Sequence, residues 1–109
     1  MLRLSISALA PIIFLSACAA PPNTITPTNI PVAQFQAENC KSLQRSIEEN
    51  STALAEAEKK QTDHVVADAA GVALFFIPPS LFTGDAADEV ALFKGRSISM
   101  KTEYTRRCQ

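Results

Sequence analysis

The side chains best suited to catalysis or metal binding in this chain are one histidine and the carboxylates near it. His64 is the sole histidine, and Asp68 lies four residues further along, so the two would share a face on a helix. Together they could give a metal ion two ligands, but a solvated or hydrogen-bonded histidine near a helix end is far commoner. We therefore expect no metal and no cofactor.

No enzyme motif accompanies this histidine. The sequence has no cysteine pair at redox spacing, no metalloprotease helix motif, no phosphate-binding glycine loop and no nucleophile elbow. Serine, threonine and aspartate are plentiful, but without a second histidine or a positioned base nothing marks one of them as a nucleophile. The sequence therefore predicts a protein that is not an enzyme.

The first seventeen residues, MLRLSISALAPIIFLSA, have the order of a secretory signal peptide. Arg3 is followed by an apolar run over residues 4–15 and then by small residues. The apolar run is too short to span a bilayer comfortably as a permanent helix. We expect residues 1–17 to be removed by cleavage.

The end of this leader, LSAC at residues 15–18, resembles the lipobox of bacterial lipoproteins. In that family the cysteine is acylated and becomes the first residue of the mature chain, which implies lipidation of Cys18 and stable attachment to a membrane. An aspartate after the cysteine commonly retains Gram-negative lipoproteins at the inner membrane. Because Ala19 stands there, the resemblance implies the outer membrane, on its periplasmic face. The alternative is an ordinary signal peptide with a cysteine at its boundary by chance.

Cys40 and Cys108 are the other two cysteines. If Cys18 carries lipid, they remain as an even pair in a compartment where disulfides persist. Two antiparallel helical arms of equal length, residues 40–63 and 85–108, would bring their sulfur atoms together. Closing a loop of that size is worth up to about 4 kcal/mol in the chain-entropy account. We predict a Cys40–Cys108 disulfide, with free thiols or pairing between two chains as alternatives.

Residues 18–37 form a proline-rich linker without charge. Each proline fixes φ and restricts the residue before it, which favours an extended conformation of about 3.1 Å per residue. From Cys18 to Pro31 this gives a reach of roughly 40 Å. We expect a lipid-anchored tether that lifts the folded part off the membrane, with recognition by a partner or by peptidoglycan as the alternative. Its prolines are Pro21, Pro22, Pro27 and Pro31.

The pattern of residues 38–109 predicts a helical hairpin braced by the disulfide, because apolar residues recur at helical spacing in two arms. Acidic residues open the second arm and arginines close it, as the helix dipole favours. Gly95 weakens this arm by around 1 kcal/mol relative to alanine, so we expect a close neighbour there. The first stripe is Cys40, Leu43, Ile47, Asn50, Leu54 and Ala57; the second is Val90, Phe93, Ser97, Met100 and Tyr104.

The connector of the hairpin, residues 64–84, contains a long apolar stretch. Its first part, residues 64–77, can continue as helix until Pro78 and Pro79 stop it, and the sixteen residues from 69 to 84 carry no charge. A spanning helix needs about twenty residues, so we expect no transmembrane insertion. The stretch could fold back as core, enter the outer leaflet or a partner's groove, or join several copies in a membrane-active assembly. The residues assigned to membrane or partner contact are Val72, Leu74, Phe75, Phe76, Ile77, Leu81 and Phe82.

The run from GVALFFIPPSLFTGD through EVALFKG to the terminal RRCQ resembles small, uncharacterised proteobacterial lipoproteins. In that group an apolar turn with phenylalanine and proline precedes a helix with a Leu-Lys-Gly-Glu-like motif and a late cysteine. In this chain Phe93 and Arg96 stand in place of that leucine and glutamate. The resemblance implies no activity.

Charge excludes nucleic acid as a partner. Without Arg3 the chain has nine basic and eleven acidic side chains, so no basic field attracts a phosphate backbone.

The sequence predicts an all-α, lipid-anchored lipoprotein that acts as a structural or protein-interaction module with an envelope protein as partner. The alternative is a membrane-active or phage-type lysis lipoprotein that uses residues 69–84. The oligomeric state stays open.

Overall fold

Two α-helices make up most of the protein. The computed structural model describes residues 18–77, 79–80 and 84–109. Helix α1 is Cys40–Phe75 and helix α2 is Ala87–Arg107; they pack against each other, and no strand occurs in the three described ranges. The predicted all-α helical hairpin is confirmed. The predicted signal peptide, residues 1–17, lies outside the described residues.

Helix α1 begins where a side chain caps it. The Asn39 Oδ1 accepts a hydrogen bond from the Ser42 N–H at 2.8 Å, which satisfies one of the free donors of the first turn. Along the helix, Leu43, Asn50 and Ala57 are buried, seven residues apart. The predicted stripe is therefore the packed face of α1, and Asn50 belongs to it.

The two helices differ in length, because the first continues beyond the arm 40–63 into residues 64–75, as the sequence allowed for the first part of the connector. Helix α1 has 36 residues, about 54 Å, and α2 has 21 residues, about 32 Å. Helix α1 continues past Asp63 because the following residues are rich in alanine and contain no proline before Pro78. It ends at Phe75, and Phe76 then takes a left-handed conformation with φ 61°.

Helix α2 receives part of its N-terminal cap from α1. The Ala86 N–H donates to the Gln61 Oε1 at 2.8 Å, and the Ala87 N–H donates to the Asp85 Oδ1 at 3.1 Å. The acidic first turn and the basic last turn match the prediction. The start of α2 is thereby fixed to a defined point on α1.

The proline-rich residues 18–37, which we call the strap, lie along the hairpin. The Thr28 N–H donates to the Ala91 carbonyl oxygen at 2.9 Å, and the Lys94 Nζ donates to the Ile25 carbonyl oxygen at 3.0 Å. The Ser99 hydroxyl donates to the Ile30 carbonyl oxygen. This differs from the free tether expected from the sequence. Because proline lacks an N–H, the strap pairs mainly through its carbonyl groups, which α2 side chains supply with donors.

Gly95 provides the space in which the strap lies. A methyl group at this position would overlap the Thr28 carbonyl oxygen and would lie 3.0 Å from the Ile30 Cγ1. The close neighbour expected at Gly95 is therefore present, and it is the strap. Gly95, Ser99 and Glu103 form a second buried row on α2, four residues apart, beside the predicted apolar stripe.

Candidate functional site

The disulfide closes one end of the hairpin. Cys40, the first residue of α1, is bonded to Cys108, the C-cap of α2, with 5.7 Å between their Cα atoms. Cys18 takes no part in this bond. The predicted Cys40–Cys108 disulfide is confirmed, and it forms within one chain. The structure therefore does not contain the alternatives, which were two free thiols or a bond between two chains.

Gln61 marks the point of α1 that lies opposite the start of α2. This side chain is fully buried, and its Nε2 donates to the Ala20 carbonyl oxygen at 2.8 Å and to the Asp85 Oδ2 at 3.1 Å. Its amide therefore joins α1, the strap and the start of α2. Beyond it, α1 continues from residue 62 to residue 75, about 21 Å. We call residues 62–77 the overhang.

The overhang carries most of the exposed apolar side chains. Leu74, Phe75 and Phe76 are 72%, 73% and 78% exposed, respectively. In the described part of the chain seven large hydrophobic side chains are exposed, and only Ile98 lies outside the overhang. The others are Val66, Val72, Leu74, Phe75, Phe76 and Ile77.

These positions decide part of the prediction for residues 69–84. The five described contact residues, Val72, Leu74, Phe75, Phe76 and Ile77, are all exposed and lie together at the end of α1. They do not fold back over the arms as core. The two other predicted contact residues, Leu81 and Phe82, lie outside the described residues.

Cys18 lies beside the overhang. Together with Ala19 it lines a surface depression whose other walls are on α1. Those walls are Val65, Asp68, Ala69 and Val72. The residue predicted to carry lipid and the residues predicted to contact a membrane are therefore at the same end of the molecule, far from the disulfide.

Asp68 holds this arrangement in place. Its carboxylate is 2% exposed; Oδ2 accepts from the Ala19 N–H at 2.6 Å and Oδ1 accepts from the Ser80 N–H at 2.8 Å. One side chain thus ties to α1 both the residue after Cys18 and the described residues that follow the helix, 76–77 and 79–80, which we call the bend. Burial opposes ionisation, but these N–H donors outweigh it, and with nearby His64 they hold the pKa of Asp68 below its usual range.

Glu103 is a buried carboxylate that stabilises the disulfide end, as Asp68 does at the other end. Its buried Oε1 accepts from the Arg106 Nη2 at 2.6 Å and from the Arg107 Nε at 2.5 Å. The hydrogen bond from Arg106 is the main reason that the pKa of Glu103 lies below its usual range. Arg107 in turn donates through Nη2 to the Phe35 carbonyl oxygen at 3.0 Å and to that of Glu38. The end of the strap is fixed by this cluster.

Gln61, Asp68 and Glu103 were not singled out as structural residues from the sequence, where Asp68 was considered only as a metal ligand. A signal was available, because Gln61 and Asp68 continue the buried stripe of α1 at positions four and eleven residues after Ala57. A polar residue in register with an apolar stripe predicts a buried polar group that needs hydrogen-bond partners.

Among the residues that the structure describes, no three His, Cys, Asp or Glu side chains are grouped as metal ligands. None of the helices in that part of the chain is long and apolar enough to cross a membrane. Comparison of the chain with models of protein families gives no match, and neither does comparison with curated proteins or with solved structures.

Proposed function

We propose that this protein is a lipoprotein of the cell envelope, anchored through lipid on Cys18 at the periplasmic face of the outer membrane. It acts there as a structural or protein-interaction module and catalyses no reaction. The observation that carries the proposal is the position of Cys18 against the overhang, at the opposite end from the disulfide. A lipid at Cys18 would hold the molecule by one end and leave the other end free for a partner.

The hairpin is suited to holding its disulfide end at a fixed distance from the membrane. Asp68 lies 28 residues after Cys40 on α1, which corresponds to a rise of about 42 Å. The disulfide, the Gln61 junction and the Asp68 carboxylate tie this length to α2 and the strap. A lipid-anchored rod of this kind would present the disulfide end roughly 40 Å from the anchor.

The buried polar side chains support a structural role. Gln61, Asp68 and Glu103 each bind backbone groups or arginines that fasten the strap or the start of α2. Such groups are costly to bury unless they are paired, and these three have partners within the fold. The role of these three side chains is therefore to stabilise the fold.

Lipidation is tested by intact-mass measurement of the mature protein, with Cys18→Ser as the variant and Cys40→Ser as the matched control. We expect a chain that starts at Cys18 and carries acyl mass, and that fractionates with outer membranes. The Cys40→Ser protein should keep that mass, whereas Cys18→Ser should lack it. A mature chain without acyl mass at Cys18 contradicts the proposal.

The partner is tested by crosslinking in intact envelopes from a photoreactive residue placed at an exposed position near the disulfide, such as Lys41. The same residue at Ala70, in the overhang, is the control. One envelope protein captured in stoichiometric amount from Lys41 and not from Ala70 supports an interaction module. Capture of lipid alone from both positions contradicts it.

A second candidate function, membrane lysis, is favoured by the exposure of Phe75 and Phe76. Exposed aromatic side chains at the end of a helix could disrupt a bilayer if several copies assemble. Dye release from vesicles by the lipidated protein, lost on Phe75→Ser with Phe76→Ser, would support it. Intact vesicles at full membrane loading would contradict it.

A further inference from the structure

We infer that the end of the overhang, residues 69–77, inserts into the same lipid leaflet that holds the acyl chains of Cys18, so that the molecule stands end-on in the membrane. This inference rests on the proposed lipid anchor. It adds a second, protein-made contact with the lipid. Its basis is the distribution of apolar side chains around α1, the depth of Cys18 along that helix, and the charge of the surrounding residues.

From Val66 onward, exposed apolar side chains of the overhang point in several directions around the axis of α1. Measured around the helix axis from Val66, the side chains of Leu74, Phe75 and Val72 lie at about 80°, 180° and 240°. All four are exposed. A groove on a protein partner covers one face of a helix, whereas exposed apolar side chains that point in several directions need surroundings that are apolar in all of those directions. Hydrocarbon meets that requirement.

The level of Cys18 on α1 fits this insertion. Cys18 lies at the height of Asp68, whose carboxylate binds the next residue of the strap. From Asp68 to Phe75 the helix rises by seven residues, about 10 Å. Apolar faces at membrane interfaces reach about 5–10 Å into the boundary between headgroups and acyl chains. With Cys18 at the interface, the phenylalanines would lie at that depth.

The side of the overhang away from Cys18 is equally suited to hydrocarbon. Ala67, Gly71, Leu74 and Pro79 line a second depression together with other apolar side chains. Gly71 is required there, because a methyl group on it would lie 2.7 Å from the Ile77 carbonyl oxygen. The bend is therefore folded tightly against the end of α1 and presents apolar atoms outward.

The backbone at the end of the overhang, residues 69–77, which we call the tip, also favours a functional role for Phe76. Its φ of 61° lies in the left-handed region, where glycine is the usual residue and a bulky side chain is strained. At 78% exposure its ring packs little against the described part of the chain. A strained, exposed aromatic residue is expected where its side chain serves a contact outside the fold.

Charge indicates that the contact is with hydrocarbon and does not depend on anionic headgroups. Lys60 and Lys94 are consecutive basic side chains in the sequence, and the residues between them include only acidic charges and His64. Basic residues attract proteins to anionic lipid. Their absence from residues 61–93 predicts insertion into zwitterionic bilayers that is insensitive to salt.

The test uses tryptophan fluorescence, for which the chain offers a clean background because it contains no tryptophan. Phe75→Trp places a probe in the tip, and Ile98→Trp is the matched control, an exposed apolar position on α2. The full-length lipidated proteins are reconstituted in phosphatidylcholine vesicles with or without brominated acyl chains. Quenching by bromine reports contact with hydrocarbon, and quenching by iodide reports contact with water.

We expect Phe75→Trp to lose emission with brominated lipid, to shift to the blue and to resist iodide at low and high salt. Ile98→Trp should behave in the opposite way. Equal quenching of both probes by bromine means that the rod lies flat, and no bromine quenching of Phe75→Trp means that the tip is outside the lipid; either overturns the inference. Protection from iodide without bromine quenching, with crosslinked dimers, assigns the tip to a second copy and also overturns it.

The intact mass of the same preparations separates this inference from the proposed function. Acylated protein whose Phe75→Trp probe is not quenched contradicts only the end-on insertion. Protein without acyl mass contradicts the proposed anchor, whatever the probes report. Far-ultraviolet circular dichroism and thiol titration of each variant check that the hairpin and its disulfide are intact.

Discussion

The two parts of α1 on either side of Gln61 differ in what covers them, although they form one continuous helix. Residues 41–60 lie beside α2 and carry eight charged side chains, whereas residues 62–77 extend beyond α2 and carry two, Asp63 and Asp68. The first part has water on its polar face and α2 on its apolar face. The overhang exposes apolar side chains in several directions, and the strap covers only its Asp68 side.

This difference indicates that the two parts have different tasks. Beside α2, hydrophobic burial, the disulfide and the Glu103 cluster stabilise the fold. In the overhang, the apolar side chains are exposed to solvent, so they contribute little to the stability of the folded protein. Changing one part of α1 and measuring the other separates these tasks.

The largest expected effect is loss of the disulfide. Cys40→Ser should lower the free energy of unfolding by about 4 kcal/mol, because Cys40 and Cys108 are 68 residues apart and the bond restricts the unfolded chain. Urea unfolding followed by circular dichroism measures it. Lys41→Ser, an exposed neighbour of Cys40 outside the bond, is the control and should keep the wild-type midpoint. An unchanged midpoint for Cys40→Ser would mean that packing alone holds the helices together.

Removal of the Asp68 carboxylate should have the next largest effect. Asp68→Ala leaves the Ala19 and Ser80 N–H groups without their acceptor and should cost about 1–3 kcal/mol. Asp63→Ala, an exposed acid on the same helix, should change stability little. Amide hydrogen exchange gives the location: Ala19 and Ser80 should lose protection in Asp68→Ala, while Thr28 should keep it.

The pH dependence of stability follows from the same carboxylate. Because the pKa of Asp68 is lower in the folded than in the unfolded chain, the unfolded chain takes up the proton first as pH falls. Stability from Asp68 is therefore present at neutral pH and is lost progressively below about pH 4. Thermal unfolding of Asp68→Asn should depend less on pH in this range. An identical pH dependence would show that Glu103 and other acids account for it.

The hairpin was predictable because its signals are local. The spacing of Leu43, Asn50 and Ala57 gives α1, and the two cysteines fix the antiparallel pairing. The continuation of α1 beyond Asp63 was predicted as far as Pro78, but its end at Phe75 was not, because no residue type there marks a helix end. The docked strap was not predicted, since it depends on the pairing of Gly95 with Thr28, which are distant in the sequence.

The candidate site was predictable in composition and only partly in position. Its apolar residues are contiguous in the sequence, so Phe75 and Phe76 were identified directly. Their exposure follows from the unequal lengths of α1 and α2, which is a property of the whole fold. The proximity of Cys18 depends on Asp68, a polar residue at a buried stripe position.

A smaller effect is expected from Gly95→Ala, which tests the strap separately from both parts of α1. The added methyl group overlaps the Thr28 carbonyl oxygen, so the strap should move away from α2. Better helix propensity offsets part of the loss, and we expect a net cost of about 1 kcal/mol. Thermolysin should cut the strap faster near Ile25 and Ile30. Gly71→Ala, which disturbs the bend, should leave strap cleavage unchanged.

The smallest expected effect has the opposite sign. Phe76→Gly relieves the left-handed conformation, worth about 1–2 kcal/mol, but adds flexibility to the unfolded chain, so stability should rise by about 0.5 kcal/mol. Urea unfolding measures the change, and Phe75→Gly, at a helical position, is the control that should lose stability. Vesicle binding by the same Phe76→Gly protein should weaken. If Phe76→Gly raises the stability and weakens vesicle binding, Phe76 serves membrane contact at the expense of the fold. If Phe76→Gly lowers the stability, Phe76 instead contributes to the stability of the fold.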